Sequence, residues 1–138
     1  MRVGSELLEL ARAANARSIF VVGIGRDVGK TTALRAIYDA ASAAGRRIGL
    51  ASIGREGDPA RSDEIRPKPR LWLQPQTVFV SARGSLPQTP AVEILKLSRL
   101  QSPAGALLYA RAAASAFYEL VGPPTASGVR EVVDELGA

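Results

Sequence analysis

The sequence predicts an α/β fold with a mostly parallel sheet, followed by a strand-rich second half. Residues 19–22 form a continuous apolar run, which is typical of a strand buried on both faces. Apolar residues recur at helical spacing over residues 30–44, and residues 48–53 form the next apolar strand. Strand, helix and strand together have the length that a right-handed parallel crossover needs.

Two helices flank the first predicted strand. Residues 5–16 are expected to form an amphipathic helix, because an apolar stripe alternates there with charged residues. The helix of residues 30–44 is expected to end at Gly45, since glycine readily takes the left-handed conformation that follows a helix. The stripe of the first helix consists of Leu7, Leu8, Ala11 and Ala14.

The second half of the chain favours short strands. Glycine, proline and polar turns separate its apolar runs, which indicates a β meander, although residues 110–116 also have helical propensity. A closing helix is predicted over residues 125–136, with Thr125 or Ser127 as its cap. The predicted strands are residues 71–73, 77–81, 92–97, 106–111 and 117–121, and the buried stripe of the last helix is Val129, Val132, Val133 and Leu136.

Composition excludes several classes of site. The 138 residues fit one domain, and the absence of cysteine and histidine excludes disulfides, thiolate metal sites and histidine catalysis. Any metal is therefore expected to be Mg²⁺ on oxygen ligands. No apolar stretch is long enough to span a membrane, and Glu6 and Glu9 replace the apolar core of a signal peptide, so the cytoplasm is expected. The net charge is +5, but basic residues are spread out without an aromatic platform, which argues against nucleic acid as a partner.

A phosphate-binding motif lies between the first predicted strand and its helix. Glycines let backbone N–H groups turn toward an anion, and the helix start adds further N–H donors and the positive end of its dipole. In this setting Lys30 supplies a charge to the β- and γ-phosphates, and the Thr31 hydroxyl joins the shell of Mg²⁺. The residues expected to bind the nucleotide are Gly25, Arg26, Asp27, Val28, Gly29, Lys30, Thr31 and Thr32.

The spacing of this motif is one residue longer than the usual P-loop pattern. From Gly23 it follows the pattern G-x-x-x-x-x-G-K-T, with Val28 before the second glycine. This form resembles the deviant P-loop of the dethiobiotin synthetase-like (SIMIBI) group of NTPases. The resemblance implies a three-layer P-loop fold that binds ATP and Mg²⁺. In switch ATPases of that group a lysine near the place of Arg26 crosses to a second subunit, so a homodimer and a solvated Arg26 both stay open.

A second candidate segment follows the strand of residues 48–53. In the resembling group, an acidic residue at this point helps to hold Mg²⁺ or orients the attacking group, which implies such a role for Glu56 or Asp58. Lys30 and Asp58 are then the expected catalytic residues, and Thr31, Glu56 and Asp58 the metal ligands. Alternatively, Asp58 only begins a turn at Pro59.

Part of a complete NTPase site is missing from the sequence. No apolar strand ends in a Walker B acid, because Glu93 falls inside its predicted strand, and no guanine-recognition motif occurs. The chain is therefore expected to be the N-terminal part of a longer NTPase, or to need a protein partner, and to hydrolyse ATP weakly by itself.

The sequence leaves three functions open, besides a purely structural α/β domain whose vestigial loop binds no nucleotide. The first is an accessory or switch ATPase, and residues 52–55 and 68–70 also resemble ATPases that reactivate cobalamin-dependent aminomutases. The second is a nucleotide-gated domain without catalysis of its own, whose basic face contacts a protein or a nucleic acid. The third is a carboxylate-activating synthetase, although Arg55 stands near where that group presents a substrate lysine.

Overall fold

The computed structural model describes residues 2–21, 30–52, 70–86, 92–102 and 105–137. They divide into two compact units, Met1–Ile48 and Gly49–Leu136. In the described residues, the first unit contains two helices, and the second contains six strands, a short 3₁₀ turn at Arg83–Ser85 and a last helix. In chain order the elements are α1 (Arg2–Ala13), α2 (Lys30–Ala43), β1 (Gly49–Leu50), β2 (Arg70–Leu73), β3 (Val78–Ala82), β4 (Val92–Ser102), β5 (Gly105–Ala112), β6 (Ala116–Glu119) and α3 (Ala126–Leu136).

Both helices of the first unit end in the same way. Asn15 and Gly45, each two positions beyond the last residue of α1 and α2, have positive φ angles of 53° and 70°. The next residue then donates its N–H five residues back, from Ala16 to Ala11 at 2.9 Å and from Arg46 to Ala41 at 2.9 Å. This pairing satisfies carbonyl groups that a helix end otherwise leaves unpaired. The predicted stop at Gly45 is confirmed.

The two helices pack through small and aliphatic residues. Leu8, Ile37 and Ala41 form a buried cluster between them. Gly4 lies against the backbone of α2, where an added Cβ would overlap the carbonyl oxygen of Ala36 and lie 2.6 Å from its carbonyl carbon. The close approach of α1 and α2 at this point therefore requires glycine.

The second unit is built on a four-stranded sheet in the order β1-β3-β5-β4. Within the described residues, only the β1–β3 pair is parallel, whereas β5 runs antiparallel to both β3 and β4. Separately, β2 and β6 form an antiparallel ribbon, in which Trp72 pairs with Phe117.

Each face of the four-stranded sheet is covered by a different part of the second unit. On the face that we call the helix face, Val80, Leu107 and Tyr109 pack in one cluster with Val132 of α3. On the opposite face, Phe79 contacts Tyr118 of the ribbon, with ring centroids 4.9 Å apart. Ser81, also on that face, is fully buried and donates its hydroxyl to the carbonyl oxygen of Glu119 at 2.7 Å.

The predicted three-layer P-loop fold with a mostly parallel sheet is wrong. In the described part of the chain most strand pairs are antiparallel, and residues 19–21 are not a strand. Ile19 and Phe20 are 41% and 55% exposed instead of buried between neighbours. The position beside β3 is taken by β5, which forms a local hairpin with β4 and so closes a much shorter loop than a parallel crossover does.

The later elements follow the sequence prediction more closely. All five strands predicted after residue 70 form, but the expected meander is wrong because β6 pairs with β2 and not with β5. The strand predicted over residues 48–53 is reduced to Gly49–Leu50 within the described residues. The closing helix is confirmed, and its cap is Thr125, whose hydroxyl accepts the N–H of Gly128 at 3.1 Å.

Candidate phosphate-binding segment and exposed surfaces

Helix α2 begins at the lysine of the predicted phosphate-binding motif. Helix α2 spans Lys30–Ala43, so Lys30, Thr31 and Thr32 make up its first turn. That turn contains no acidic side chain, and Thr32 is exposed. The positive end of the helix dipole is thus not offset by a carboxylate in the first turn, which is the electrostatic condition for binding an anion.

Most of the predicted nucleotide and metal residues lie outside the described part of the chain. Lys30 and Thr31 are placed by their backbone alone, and Thr32 is the member of the motif that is described in full. The remaining predicted residues, all outside the described ranges, are Gly25, Arg26, Asp27, Val28 and Gly29 of the loop and Glu56 and Asp58 of the second segment. Whether the two segments meet therefore stays a prediction.

Charge is distributed unevenly between the two units. Residues 1–48 contain eight basic and four acidic side chains, whereas residues 49–138 contain ten and nine. The excess positive charge of the chain thus belongs mainly to the segment that carries the predicted phosphate-binding motif. Such an excess attracts anionic ligands and raises their local concentration.

Two exposed aromatic side chains come together on the β2–β6 ribbon. Trp72 and Phe117 are 41% and 58% exposed, and their ring centroids lie 5.1 Å apart in an edge-to-face arrangement. On the other face of the ribbon, Leu71, Leu73 and Tyr118 are buried. The sequence gives no sign of this pair, because the two residues are 45 positions apart and only the ribbon register joins them.

Lys96 of β4 and Tyr109 of β5 lie close to acidic side chains of α3. The Lys96 ammonium lies 2.8 Å from the Glu135 carboxylate. Burial raises the pKa of the Tyr109 phenol above its usual range, and the nearby carboxylates of Glu135 and Glu131 raise it further. Among the residues that the structure describes, no group of three acidic side chains is placed to hold a metal ion.

Glu93, which does not qualify as a Walker B acid because it falls inside its strand, lies on the surface of the sheet. It belongs to β4 and pairs with Arg111 of β5, whose guanidinium is 3.4 Å from its carboxylate. This cross-strand ion pair is an ordinary contact on an exposed sheet surface.

Comparisons with known proteins assign neither a family nor a function to the chain. No protein-family model matches the chain, and the comparisons with curated proteins and with solved structures found no significant match. Within the described ranges, no helix has the length and apolar character needed to cross a membrane.

Proposed function

We propose that the protein binds Mg·ATP through residues 25–32 and acts as an accessory or switch ATPase. The observation that supports this best is the start of α2 at Lys30, with a lysine and two threonines in a first turn free of acidic residues. A lysine and backbone N–H groups at a helix N-terminus are the groups that bind nucleotide phosphates.

The charge of the chain supports the same proposal. Residues 1–48 have twice as many basic as acidic side chains, which favours the approach of a polyphosphate to this part of the protein. In this proposal Thr31 and an acid from the second segment, Glu56 or Asp58, hold Mg²⁺, while Lys30 faces the β- and γ-phosphates. The proposal includes a cytoplasmic location, where Mg·ATP is available.

Calorimetric titration with Mg·ATP tests the proposal on the full chain. We expect Lys30→Ala to weaken binding ten- to hundredfold, because losing charge-assisted hydrogen bonds to phosphate costs about 1.5–3 kcal/mol. Arg46→Ala is the matched control, since it removes one positive charge from an exposed position just after the other end of the same helix. GTP, for which the sequence has no recognition motif, should bind more weakly than ATP.

Two results would contradict the proposal. One is no heat of binding for Mg·ATP with the unmodified chain. The other is an equal loss of affinity in Lys30→Ala and Arg46→Ala, which would attribute binding to overall charge and not to the motif. If ATP binds, we expect little phosphate release by this chain alone, since no Walker B acid is present in its sequence.

A second candidate function is a nucleotide-gated binding domain without catalysis. The exposed Trp72–Phe117 pair favours it, because exposed aromatic side chains are enriched at sites of protein recognition. The nearly balanced charge of residues 49–138 fits a protein partner better than a nucleic acid. This candidate predicts that Mg·ATP binds, but that no candidate partner stimulates phosphate release.

A further inference from the structure

The outer edge of the four-stranded sheet exposes three large apolar side chains within four positions. In the described part of the sheet, β4 is an edge strand of eleven residues. Ile94, Leu95 and Leu97 are 50%, 40% and 57% exposed. A long apolar edge readily pairs with another strand, so soluble proteins usually protect such edges.

A bulge determines which strand can pair with this edge. Ile94 lies opposite Ala110 and Lys96 lies opposite Tyr109, so β4 has one residue, Leu95, more than β5 at this point. Bulges of this kind disturb the regular spacing of an edge and discourage pairing with an ordinary strand. To stay in step with this edge, a partner strand needs the same extra residue at the matching point. A second copy of β4 carries that residue.

The side chains of β4 fix the register of such a pair. Ile94 and Leu97 lie opposite Ala110 and Leu108, which share the sheet face away from Tyr109, whereas Lys96 lies opposite Tyr109 on the helix face. In an antiparallel pair with Ile94 opposite the partner's Leu97, each strand has two residues between these positions. Apolar residues then meet on one face, and the positions remain in step in spite of the bulge.

Neighbouring registers are less favourable. Shifted one way, Ile94 would face the partner's Lys96, which lies on the opposite sheet face. Shifted the other way, Lys96 would face the partner's Lys96, and like charges directly opposite one another destabilise a strand pair. In the register with Ile94 opposite the partner's Leu97, Lys96 faces the partner's Leu95 and keeps its ion pair with Glu135.

We propose that β4 is a self-association edge, at which two copies of the chain join their sheets antiparallel with Ile94 opposite the partner's Leu97. A second register shift, between Leu97 and Gln101, ends the regular part of β4. The paired segment is therefore short, and the dimer should be weak and reversible. The inference is independent of nucleotide binding.

Sedimentation velocity of the full chain without nucleotide, over about 1 to about 300 µM, tests this inference. We expect a reversible monomer–dimer equilibrium, and a dissociation constant at least tenfold higher in Ile94→Lys. Leu10→Lys is the matched control, because it places the same charge at an exposed apolar position of α1, which is not part of the sheet. Its dissociation constant should stay within about threefold of the unmodified value.

A charge-pair variant tests the register and excludes loss of folding as the cause. Adding Leu97→Glu to Ile94→Lys places opposite charges across the two-fold axis, so dimerisation should recover relative to Ile94→Lys alone. Three results would overturn the inference: an unmodified chain that is monomeric over the whole range, an Ile94→Lys variant that still dimerises, or a double variant that remains as monomeric as the single one.

Discussion

The first unit, which we call the helix pair (Met1–Ile48), and the second, which we call the sheet unit (Gly49–Leu136), differ in how much of their side-chain volume is buried. The largest fully buried side chains, among them Phe79, Leu107 and Tyr118, all belong to the sheet unit. The α1–α2 contact depends on Leu8, Ile37 and Ala41 and on the absence of a side chain at Gly4. Because stabilisation grows with the apolar surface removed from water, the sheet unit should be the more stable part. The predicted phosphate-binding residues 25–32 thus belong to the part that we expect to be less stable, as is common for ligand-binding segments.

The largest expected effect is the loss of a core aromatic from the sheet unit. Phe79→Ala removes a fully buried ring that contacts Tyr118, and should lower the free energy of unfolding by about 3–5 kcal/mol. Phe117→Ala, at a position 58% exposed, should change it by less than about 1 kcal/mol. Urea denaturation monitored by circular dichroism measures the free energy of unfolding of both variants. Similar losses in the two variants would mean that the ribbon and the sheet are not packed as described.

A smaller effect is expected where the two helices meet. Alanine is the better helix former, so Gly4→Ala would stabilise an isolated helix by up to about 1 kcal/mol. In the folded chain its Cβ would overlap the Ala36 carbonyl, and we expect a net destabilisation of about 1–3 kcal/mol instead. Hydrogen exchange of the α1 and α2 amides, followed by mass spectrometry, measures the change in the helix pair separately from the sheet unit.

Leu10→Ala is the control for this prediction. Leu10 is 68% exposed on the same helix, so its replacement should leave the exchange rates of α2 nearly unchanged. If Gly4→Ala slowed exchange, helix propensity alone would govern this region, and the close contact between α1 and α2 would be refuted.

The smallest effect is confined to high pH and to the sheet unit. The pKa of Tyr109 is raised in the folded protein by burial and by Glu135 and Glu131, so its neutral form is favoured there. Its contribution to stability is therefore complete below the unfolded pKa of about 10, and is lost as the pH rises through the folded pKa.

Denaturation midpoints between about pH 8 and about pH 12 provide the measurement. We expect stability to fall above about pH 10, and to fall less in Tyr109→Phe, which has no phenol to ionise. Glu131→Gln should weaken the effect slightly, because it removes one of the two carboxylates that raise this pKa. Identical profiles for the unmodified chain and Tyr109→Phe would contradict the described environment of Tyr109.

The sequence predicts the local features of this protein better than its distant contacts. The stop at Gly45, a helix cap at Thr125 or Ser127 and the strands after residue 70 depend on neighbouring residues and were predicted correctly. The partners of those strands were not, because pairing β2 with β6 joins residues more than 40 positions apart. The strand predicted over residues 19–22 is absent at residues 19–21 for the same reason, since an apolar run becomes a strand only where a neighbouring strand is available.

The candidate site shows the same division. A motif predicted the start of a helix at Lys30, and α2 begins there. The exposed Trp72–Phe117 pair gave no warning in the sequence, since neither residue has an unusual neighbourhood by itself. The β4 edge was similarly invisible, because the exposure of Ile94 and Leu97 depends on β4 being an edge strand and on how β5 pairs with it.

The register of the β2–β6 ribbon also has a kinetic consequence. Its strands enclose β3, β4 and β5 in the chain, so the ribbon closes a far longer loop than the β4–β5 hairpin does. Long-range closure is entropically the more demanding step, so the hairpin should form early and the ribbon late in refolding. Trp72 is the single tryptophan of the chain and gains its Phe117 neighbour when the ribbon closes. Its fluorescence should therefore report when the final stage of folding takes place.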